Sequence, residues 1–318
     1  MVVNSSARIV AQGVNAVTAI SALVCTYNRG AAIADTIASI LANTHKDFEL
    51  VIIDQSSNDE SEIASRPYQS DNRLRYIRTK QAGKAHALNR GLAESRGGII
   101  AITDDDCTVP AHWLEKFEAL FGCHANVAVA FCNVEGAEHD ASAGFIPANV
   151  RKSDKILRTS IDICGSRSIG AGMAVRRSMV EKLGGFDPML GPGEYFKDGD
   201  DIDIKWRAVL AGYEVYESAG FAVVHFGFRT WAQGRELSRR NYTGIGASFS
   251  KPLKCGRWGF VIVPLFEVVR YCVVPPLSDL LHFRRPRGIV RLTAFANGFI
   301  QGLATRVDKA SLRFVEPN

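Results

Sequence analysis

The chain of 318 residues has few cysteines, and none of them are arranged as a pair. Its seven cysteines are odd in number and form no C-x-x-C motif, so we expect a reduced, cytoplasmic compartment. Internal repeats and low-complexity segments are also missing. With 47% hydrophobic and 22% charged residues, the chain has the composition of a globular protein of one large domain or two small ones.

Long hydrophobic runs are missing too. In the C-terminal part the longest runs without a charge are Gly259 to Phe266 and Tyr271 to Ser278, far shorter than the roughly 20 residues of a membrane-spanning helix. We therefore expect no spanning segment. The apolar stretch from Val14 to Cys25 has only Arg8 in its flank and is interrupted by polar residues, so we interpret it as leading into a first strand and not as a signal peptide.

Acidic and basic residues are unevenly divided. Residues 1–225 hold 23 Lys and Arg against 28 Asp and Glu, a balance of −5, whereas residues 226–318 hold 15 against 5, a balance of +10. Such a block suggests a membrane surface, an acidic or diphosphate-linked acceptor, or nucleic acid as partner, and a solvated basic face fits the charge equally well. Helices lying in a membrane interface are one interpretation of this part, and packing against the core is the other. The apolar side of such helices would carry Phe260, Leu265, Phe266 and Val269.

Strand and helix patterns alternate through the first half of the chain. This order predicts a mainly parallel sheet with helices on both faces. The predicted strands are Thr18 to Cys25, Phe48 to Asp54, Leu74 to Arg78 and Gly98 to Thr103. The predicted helices are Ala31 to Ala42, Ala85 to Glu94, and a segment that ends at Phe121, with Thr108 as its N-cap and Pro110 near its first turn.

Further elements are predicted in the second half. Strands are expected at Val127 to Asn133, Ala171 to Val175, Val215 and Phe221 to His225, and helices follow Arg176 and Asp200. The segment from Gly191 to Gly199 is rich in turn formers and predicts a mobile loop. We divide the chain into a domain of residues 1–226 and a mostly helical, basic extension of residues 227–318.

One stretch carries a concentration of acid. The apolar run from Ile99 to Thr103 ends in Asp104, Asp105 and Asp106. At strand spacing Asp104 and Asp106 would converge on one point while Asp105 faces elsewhere. Such a pair suits a hard divalent cation that keeps positions open for phosphates. A solvated acidic turn is the alternative.

Six separated motifs, in one order, give the chain a resemblance to a known family. Between residues 18 and 230 the chain resembles glycosyltransferase family 2, whose members are inverting enzymes that use nucleotide-diphosphate sugars. The resemblance implies a GT-A type fold, with three α/β/α layers and a Rossmann-like sheet. The motifs are Val24 to Arg29, Val51 to Asp59, Gly83 to Leu92, Thr103 to Asp106 (the D-x-D motif), Gly199 to Asp203, and Val223 to Gly227.

The resemblance implies a donor site. Asp54 would accept a hydrogen bond from a uracil imide, and Tyr27 would stack on the base. Arg29 and Lys84 would place positive charge near the diphosphate, and Asn89 would contact the donor. For each residue a structural role is the alternative: loop polarity for Asp54, a half-buried aromatic ring for Tyr27, surface charge for Arg29 and Lys84, and a structural hydrogen bond for Asn89.

The resemblance also implies a site for Mn²⁺ or Mg²⁺. Asp106 would be the direct ligand, with Asp104 assisting through water or the ribose and Asp105 contacting the nucleotide. His225 matches a histidine that completes the metal site in some family members, although a lone histidine on an apolar strand is more often a core residue. The cation would neutralise charge on the departing diphosphate.

Asp201 is the predicted general base. Inversion needs a group opposite the leaving diphosphate that takes the proton of the acceptor hydroxyl. At a helix start the dipole and free N–H groups would keep this carboxylate ionised. Asp200 stands where the family usually has Glu, which leaves open which carboxylate reacts, and either residue could instead be the N-cap.

Two other classes of enzyme match the sequence less well. A sugar-phosphate nucleotidyltransferase needs a Gly-rich phosphate loop where Cys25 to Arg29 stands, and a processive synthase would carry Gln-x-x-Arg-Trp and spanning helices. A catalytically silent scaffold of a glycan-assembly complex is the alternative from a different class. We expect a nucleotide-sugar donor, UDP favoured, and a glycan or lipid-linked acceptor. We further expect a peripheral position on the inner face of a membrane through residues 227–318, and no nucleic acid.

Overall fold

The computed structural model describes residues 20–283, 286 and 288–316. Its strands are β1 (Ile20–Thr26), β2 (Phe48–Asp54), β3 (Leu74–Arg78), β4 (Ile99–Asp104), β5 (Cys107–Thr108), β6 (Val127–Gly136), β7 (Gly144–Phe145), β8 (Lys155–Leu157), β9 (Met173–Arg176), β10 (Glu214–His225), β11 (Arg229–Thr230), β12 (Val307–Asp308) and β13 (Arg313–Phe314). Its α-helices are α1 (Ile33–Leu41), α2 (Glu60–Ser65), α3 (Lys84–Glu94), α4 (Trp113–Cys123), α5 (Ser160–Ile163), α6 (Arg177–Lys182), α7 (Asp200–Leu210), α8 (Trp231–Lys254), α9 (Ile262–Glu267), α10 (Val274–Leu281) and α11 (Ile289–Ala304).

The main sheet has the strand order β3-β2-β1-β4-β9-β6-β10-β5, and β8 also pairs with β10. The first four strands are parallel. Within them Thr26 lies beside Asp54 and Cys25 beside Asp104. The carboxyl ends of β1, β2 and β4 therefore meet at one edge, where ligands of such sheets bind.

Beyond β4 the sheet is mixed. Strand β9 is antiparallel to both β4 and β6, whereas β10 is parallel to β6. The two-residue strand β5 runs antiparallel to the end of β10, with His225 opposite Cys107. This pairing carries the end of the last long strand to the acidic turn after β4.

The apolar core occupies both faces of the sheet. Because successive strand residues point to opposite sides, Leu23 and Ile53 pack with Leu88 of α3, while Val24 and Ile52 pack on the side of α1 and α4. The three-layer α/β/α arrangement expected from the sequence is confirmed.

Two local predictions were wrong, and part of a third lies outside the described residues. Helix α4 begins at Trp113, with His112 as its N-cap. Thr108 belongs to β5, because this segment pairs with the end of β10. Val215 and Phe221 to His225 form one strand, β10, with register irregularities against β6. Residues 18 and 19 of the first predicted strand lie outside the described residues.

The extension after residue 226 is helical, as predicted. Helices α8 and α11 pack closely because glycines face the partner backbone: a Cβ on Gly246 would lie 2.2 Å from the carbonyl oxygen of Phe295, and one on Gly298 would lie 2.0 Å from that of Thr243. Phe260 packs on Trp206 of α7, with ring centroids 5.4 Å apart. The extension therefore packs on the sheet domain.

A helical segment in this extension differs from expectation. Trp258–Leu281 is a run of 24 residues that is long and apolar enough, by length and composition, to cross a membrane. It combines a 3₁₀ turn, α9, a π-helical stretch (Val268–Val273) and α10. The runs that looked short in the sequence are joined, because helical structure continues through Glu267 and Arg270.

Candidate functional site

The three aspartates after the buried strand do not alternate as strand residues. Strand β4 ends at Asp104, and Asp105 and Asp106 form a turn into β5. The prediction that Asp104 and Asp106 converge while Asp105 points away was therefore wrong. Instead Asp104 faces Lys84, while Asp105 and Asp106 share Arg29.

Asp106 and His225 lie side by side. Nε2 of His225 is 3.3 Å from Oδ1 of Asp106, and Nδ1 of the same ring is 2.9 Å from the carbonyl oxygen of Pro147. Burial opposes the charge on both groups. Their mutual attraction nevertheless lowers the pKa of Asp106, with help from Arg29, and raises the pKa of His225. A carbonyl that holds Nδ1–H leaves Nε2 as the nitrogen that binds a proton or a metal.

The same corner fits a divalent cation. Ligand atoms of Asp106, Cys107 and His225 lie within 4.8 Å of one another. Gly227 keeps the space beside them open, because a Cβ there would lie 2.6 Å from Nε2 of His225 and 2.7 Å from Oδ2 of Asp106. Burial raises the pKa of the Cys107 thiol far above its usual range. Asp106 and His225 offer a carboxylate oxygen and an imidazole nitrogen, a set that favours Mn²⁺ over the oxygen-preferring Mg²⁺.

Arg29 neutralises two of the aspartates. Its Nε and Nη2 lie 2.9 and 2.8 Å from Oδ1 of Asp105, and Nη2 lies 3.1 Å from Oδ2 of Asp106. Thr26 donates a hydrogen bond of 2.7 Å to the other oxygen of Asp105. Burial still raises the pKa of Asp105. Arg29 thus lies against the acidic turn, with its side chain 34% exposed.

Lys84 lies at the start of α3, next to Asp104. Its Nζ is 2.6 Å from Oδ1 of Asp104. Burial opposes the ammonium charge, but Asp104 and Asp200 together raise the pKa of Lys84. The N-cap of α3 is Gly83, whose φ of +106° suits glycine. Lys84 is therefore a charged group at the carboxyl edge of the sheet.

Glu194 covers the beginning of the same helix. Its Oε1 accepts hydrogen bonds from the backbone N–H groups of Ala85 (3.1 Å) and His86 (3.3 Å). Burial raises the pKa of Glu194 to about 7. The surrounding segment lacks regular structure, as predicted, and buried Phe196 anchors it to the core. The Glu194 side chain thus binds the free N–H groups at the start of α3, a position that attracts anions.

Asp200 and Asp201 begin α7. Gly199, with φ of +97°, is the N-cap, so the interpretation of either aspartate as N-cap was wrong. Oδ1 of Asp201 accepts from the N–H of Ile202 at 2.7 Å. Asp200 is 5% exposed, and its Oδ2 has no hydrogen-bond partner among the described residues.

Burial decides the charge state of these two acids. It raises the pKa of Asp200 and of Asp201, although Lys84 opposes the shift at both and Lys205 opposes it at Asp201. Their neighbour Asp198 is also shifted, because burial and the charge of Asp201 raise the pKa of Asp198 to about 7. Contrary to expectation, the position at a helix start is not enough to keep the pKa values of Asp200 and Asp201 in the ordinary carboxyl range.

Gly170 marks the space between Lys84 and Asp201. A Cβ on Gly170 would lie 3.7 Å from Cβ of Asp201 and 3.7 Å from Nζ of Lys84. Through Lys84 this space connects to Asp104. The acids that begin α7 and the acidic turn after β4 therefore flank one lysine.

The remaining predicted donor residues lie in different surroundings. Tyr27 is 60% exposed at the end of β1. Asp54 is fully buried, and its oxygens accept from the Tyr76 hydroxyl (2.7 Å) and the Ser56 N–H (2.8 Å). The amide of Asn89 bonds both backbone groups of Phe186, which corresponds to the structural alternative.

A buried set of charges holds α7 from behind. Arg207 and Lys251 bond Asp203 at 2.7 and 2.6 Å, and Lys251 also bonds Asp187 at 2.5 Å. All four side chains are almost completely buried. Two cations and two carboxylates therefore balance inside the protein and fix the helix that carries Asp200 and Asp201.

Sequence reasoning missed four contributors to the site: Pro147, Gly170, Glu194 and Gly227. Their roles depend on long-range contacts through a carbonyl, an absent side chain or a loop carboxylate. Only Gly227 had a sequence signal, because it closes the motif that contains His225.

Comparison with known proteins supports a common family. Residues 21–184, just over half of the chain, match the model of glycosyl transferase family 2. An uncharacterized glycosyltransferase of Nostoc sp. is 27% identical over 207 residues, which cover 63% of this chain and 59% of that relative. The chain thus spans about three fifths of that relative's length.

Solved structures share the fold. A mannosyltransferase from Pyrobaculum calidifontis, in complex with GDP-Man and Mn²⁺, has a TM-score of 0.58 at 19% identity, with 92% of this chain and 77% of that chain covered. TarS of S. aureus, in complex with UDP-GlcNAc, has a TM-score of 0.58 at 13% identity, with 90% and 81% covered. At these identities the likeness concerns the fold.

Proposed function

Because the chain belongs to glycosyl transferase family 2, we propose that it is a metal-dependent, inverting glycosyltransferase. It moves a sugar from a nucleotide-diphosphate donor to a hydroxyl of a glycan or lipid-linked acceptor. The observation that carries this proposal is the position of Lys84, between the acidic turn at Asp104 and the acids that begin α7. Such an arrangement suits a diphosphate with a metal site on one side and a base on the other.

The donor end of the site uses the acidic turn. Asp106 and His225 would hold Mn²⁺ or Mg²⁺, with Asp104 assisting, and the bound cation would supply charge stabilisation for the departing diphosphate. Lys84 and Arg29 would add positive charge there, and Asp105 would contact the nucleotide. Tyr27, exposed at the end of β1, would stack on the base.

The acceptor end uses the start of α7. The acceptor oxygen forms a bond to the anomeric carbon as the bond from that carbon to the diphosphate oxygen breaks. Asp201 takes the hydroxyl proton, and the nucleoside diphosphate leaves. The raised pKa of Asp201 suits a base, because a stronger base accepts the proton more readily. Asp200, with one unpartnered buried oxygen, is the second candidate for this role.

The donor nucleotide is the finer part of the proposal. We favour UDP, with Asp54 as the contact to the base. To accept a hydrogen bond from the uracil imide, Asp54 would give up the hydrogen bond that it accepts from the Tyr76 hydroxyl. Among structural neighbours, one is in complex with GDP-Man and another with UDP-GlcNAc. UDP-, dTDP- and GDP-sugars therefore belong in the same test.

The experiment is a release assay. The purified chain is incubated with a panel of UDP-, dTDP- and GDP-sugars in Mn²⁺, Mg²⁺ or EDTA, and the free nucleoside diphosphate is measured. Water can slowly take the place of the acceptor, so the proposal expects release of nucleoside diphosphate with one nucleotide class. This release should stop in EDTA. Early NMR spectra of the freed sugar should show the inverted anomer. Absence of release with every donor would favour a silent scaffold, and a retained anomer would overturn inversion.

A further inference from the structure

The helical segment Trp258–Leu281 presents an apolar face to solvent. Among its exposed residues, all within the described chain, Arg270 carries the only charge. We define the apolar face by the large hydrophobic residues of this segment that are exposed. They are Trp258, Val261, Ile262, Leu265, Val269, Val274, Leu277, Leu280 and Leu281. Alone or in adjacent pairs, they recur every three or four residues, except for a step of five from Val269 to Val274 across the π-helical stretch, which places them along one side of the helical segment.

The two acids of the segment lie on its other side. Glu267 and Asp279 are 7% and 4% exposed. Glu267 is 2.6 Å from Nη2 of Arg167, whose guanidinium also lies 3.9 Å from the ring centroid of Tyr271. The exposed side of the segment is therefore apolar and free of negative charge.

Basic residues accompany the apolar face. Arg270 is exposed on it, and in the sequence Arg284, Arg285 and Arg287 follow shortly after the segment ends. An apolar helix face that carries an exposed arginine, with three more arginines following it in the sequence, matches an anionic lipid surface, where apolar side chains enter the acyl boundary and arginines attract headgroups. We propose that the apolar face docks the protein onto an anionic phospholipid bilayer.

The segment lies on the bilayer and does not cross it. Its buried side packs on the sheet domain through Phe260 and Glu267. To span, the segment would have to leave Arg167 and carry Glu267 and Asp279 into hydrocarbon, where charged groups are costly. Trp258, 71% exposed at one end, suits the headgroup level.

The docked segment lies next to the candidate base helix. Val263 and Phe266 line a small cleft together with Ile202 and Lys205 of α7, and Ile202 directly follows Asp201. If the proposed function holds, a lipid-linked acceptor would reach the base from the bilayer side. Docking itself does not depend on the transfer chemistry.

Vesicle flotation of the full chain tests this inference. Vesicles of phosphatidylcholine alone are compared with vesicles that contain 30% phosphatidylglycerol, a fraction on the order of that in anionic bilayers. The double variant Leu265→Glu/Leu277→Glu should lower the bound fraction on anionic vesicles by about tenfold, because two charges enter the apolar face. Ile63→Glu, at an apolar residue 52% exposed on α2, is the matched control and should bind like the wild type.

Four outcomes would overturn the inference. Equal binding of the double variant and the wild type would exclude the apolar face, and equal binding to both vesicle types would exclude anionic recognition. Wild-type protein that resists alkaline carbonate extraction would indicate a spanning segment. The fourth outcome is that the wild type binds no vesicles but forms a dimer in light scattering, and that the double variant is a monomer; a second copy would then cover this face.

Unchanged nucleoside diphosphate release by the double variant shows that it is folded; if no donor is turned over, an unchanged circular dichroism melt serves instead.

Discussion

Nε2 of His225 lies 3.3 Å from Oδ1 of Asp106, although these residues are far apart in the sequence. The contact exists because β5 pairs with the end of β10, with Cys107 opposite His225. The carbonyl of Pro147 orients the ring from behind. The two side chains of the proposed metal site thus meet through the pairing of a two-residue strand.

Gly227 should control access of a cation to this pair. In Gly227→Ala the new Cβ would meet Nε2 of His225 at 2.6 Å and Oδ2 of Asp106 at 2.7 Å, so one side chain has to shift. We expect the Mn²⁺ concentration for half-maximal donor turnover to rise at least about tenfold, a loss typical of disturbed metal surroundings. The measurement is a Mn²⁺ titration of nucleoside diphosphate release. Gly122→Ala, where a Cβ meets nothing within 4 Å, is the control, and equal titrations for the two variants would contradict the assignment.

Asp201→Asn should abolish transfer while donor binding is kept. Loss of a general base lowers turnover by about 10²–10⁴-fold, and the donor KM should change little because Asp201 acts on the acceptor side. Steady-state kinetics of Asp201→Asn and Asp200→Asn separate the two candidates. The control is Glu138→Gln at an exposed carboxylate. Full turnover in Asp201→Asn, with loss in Asp200→Asn, would move the role to Asp200.

The rate should fall at acidic pH in a way that Asp198 influences. A base must be deprotonated to act, so the rate is lost as pH falls through its pKa. Burial raises the pKa of Asp200 and Asp201, the charge of Asp198 raises the pKa of Asp200 further, and Asp198 and Asp201 repel each other as neighbouring carboxylates. The acidic limb should therefore lie above the ordinary carboxyl range of about 4, and Asp198→Asn should move it to lower pH. A pH profile of kcat checks this; an unmoved or upward-shifted limb would contradict it.

Lys251 should be important for stability. It bonds Asp187 and Asp203 inside the protein, and Lys251→Met leaves these carboxylates with less positive charge. Breaking a buried pair in this way costs about 3–5 kcal/mol in the free energy of unfolding. Urea unfolding measures the loss, and exposed Lys309→Met should change stability by less than about 0.5 kcal/mol. Similar values for the two variants would show that the buried charges do not hold α7.

Local patterns were enough to predict much of the sheet. Strands β2 and β3 have the predicted bounds; the apolar residues of β2 are buried, and those of β3 are partly buried, on the parallel side of the sheet. The antiparallel course of β9 and the two residues of β5 were not predictable. Both depend on pairing with strands far away in sequence, and two residues carry too weak a pattern.

The sequence indicated which residue types form the candidate site better than it indicated where each side chain points. Asp104, Asp106, Lys84, Asp201 and His225 were proposed from the sequence and lie near one another in the structure, but a strand alternation was assumed where the chain turns after Asp104. Contacts from loops left no local signal. Glu194, for example, reaches α3 from a segment more than one hundred residues away along the chain.

Mn²⁺ binding measured by electron paramagnetic resonance tests the central claim most directly. Titration of the wild-type chain with Mn²⁺ in the presence of UDP, or of the nucleoside diphosphate found in the donor panel, reports the free ion by its sharp signal. The account predicts saturable uptake that Asp106→Asn and His225→Ala abolish and Glu138→Gln keeps. Uptake by Asp106→Asn equal to that of the wild type, or no nucleotide-dependent uptake at all, would contradict a metal site at Asp106 and His225.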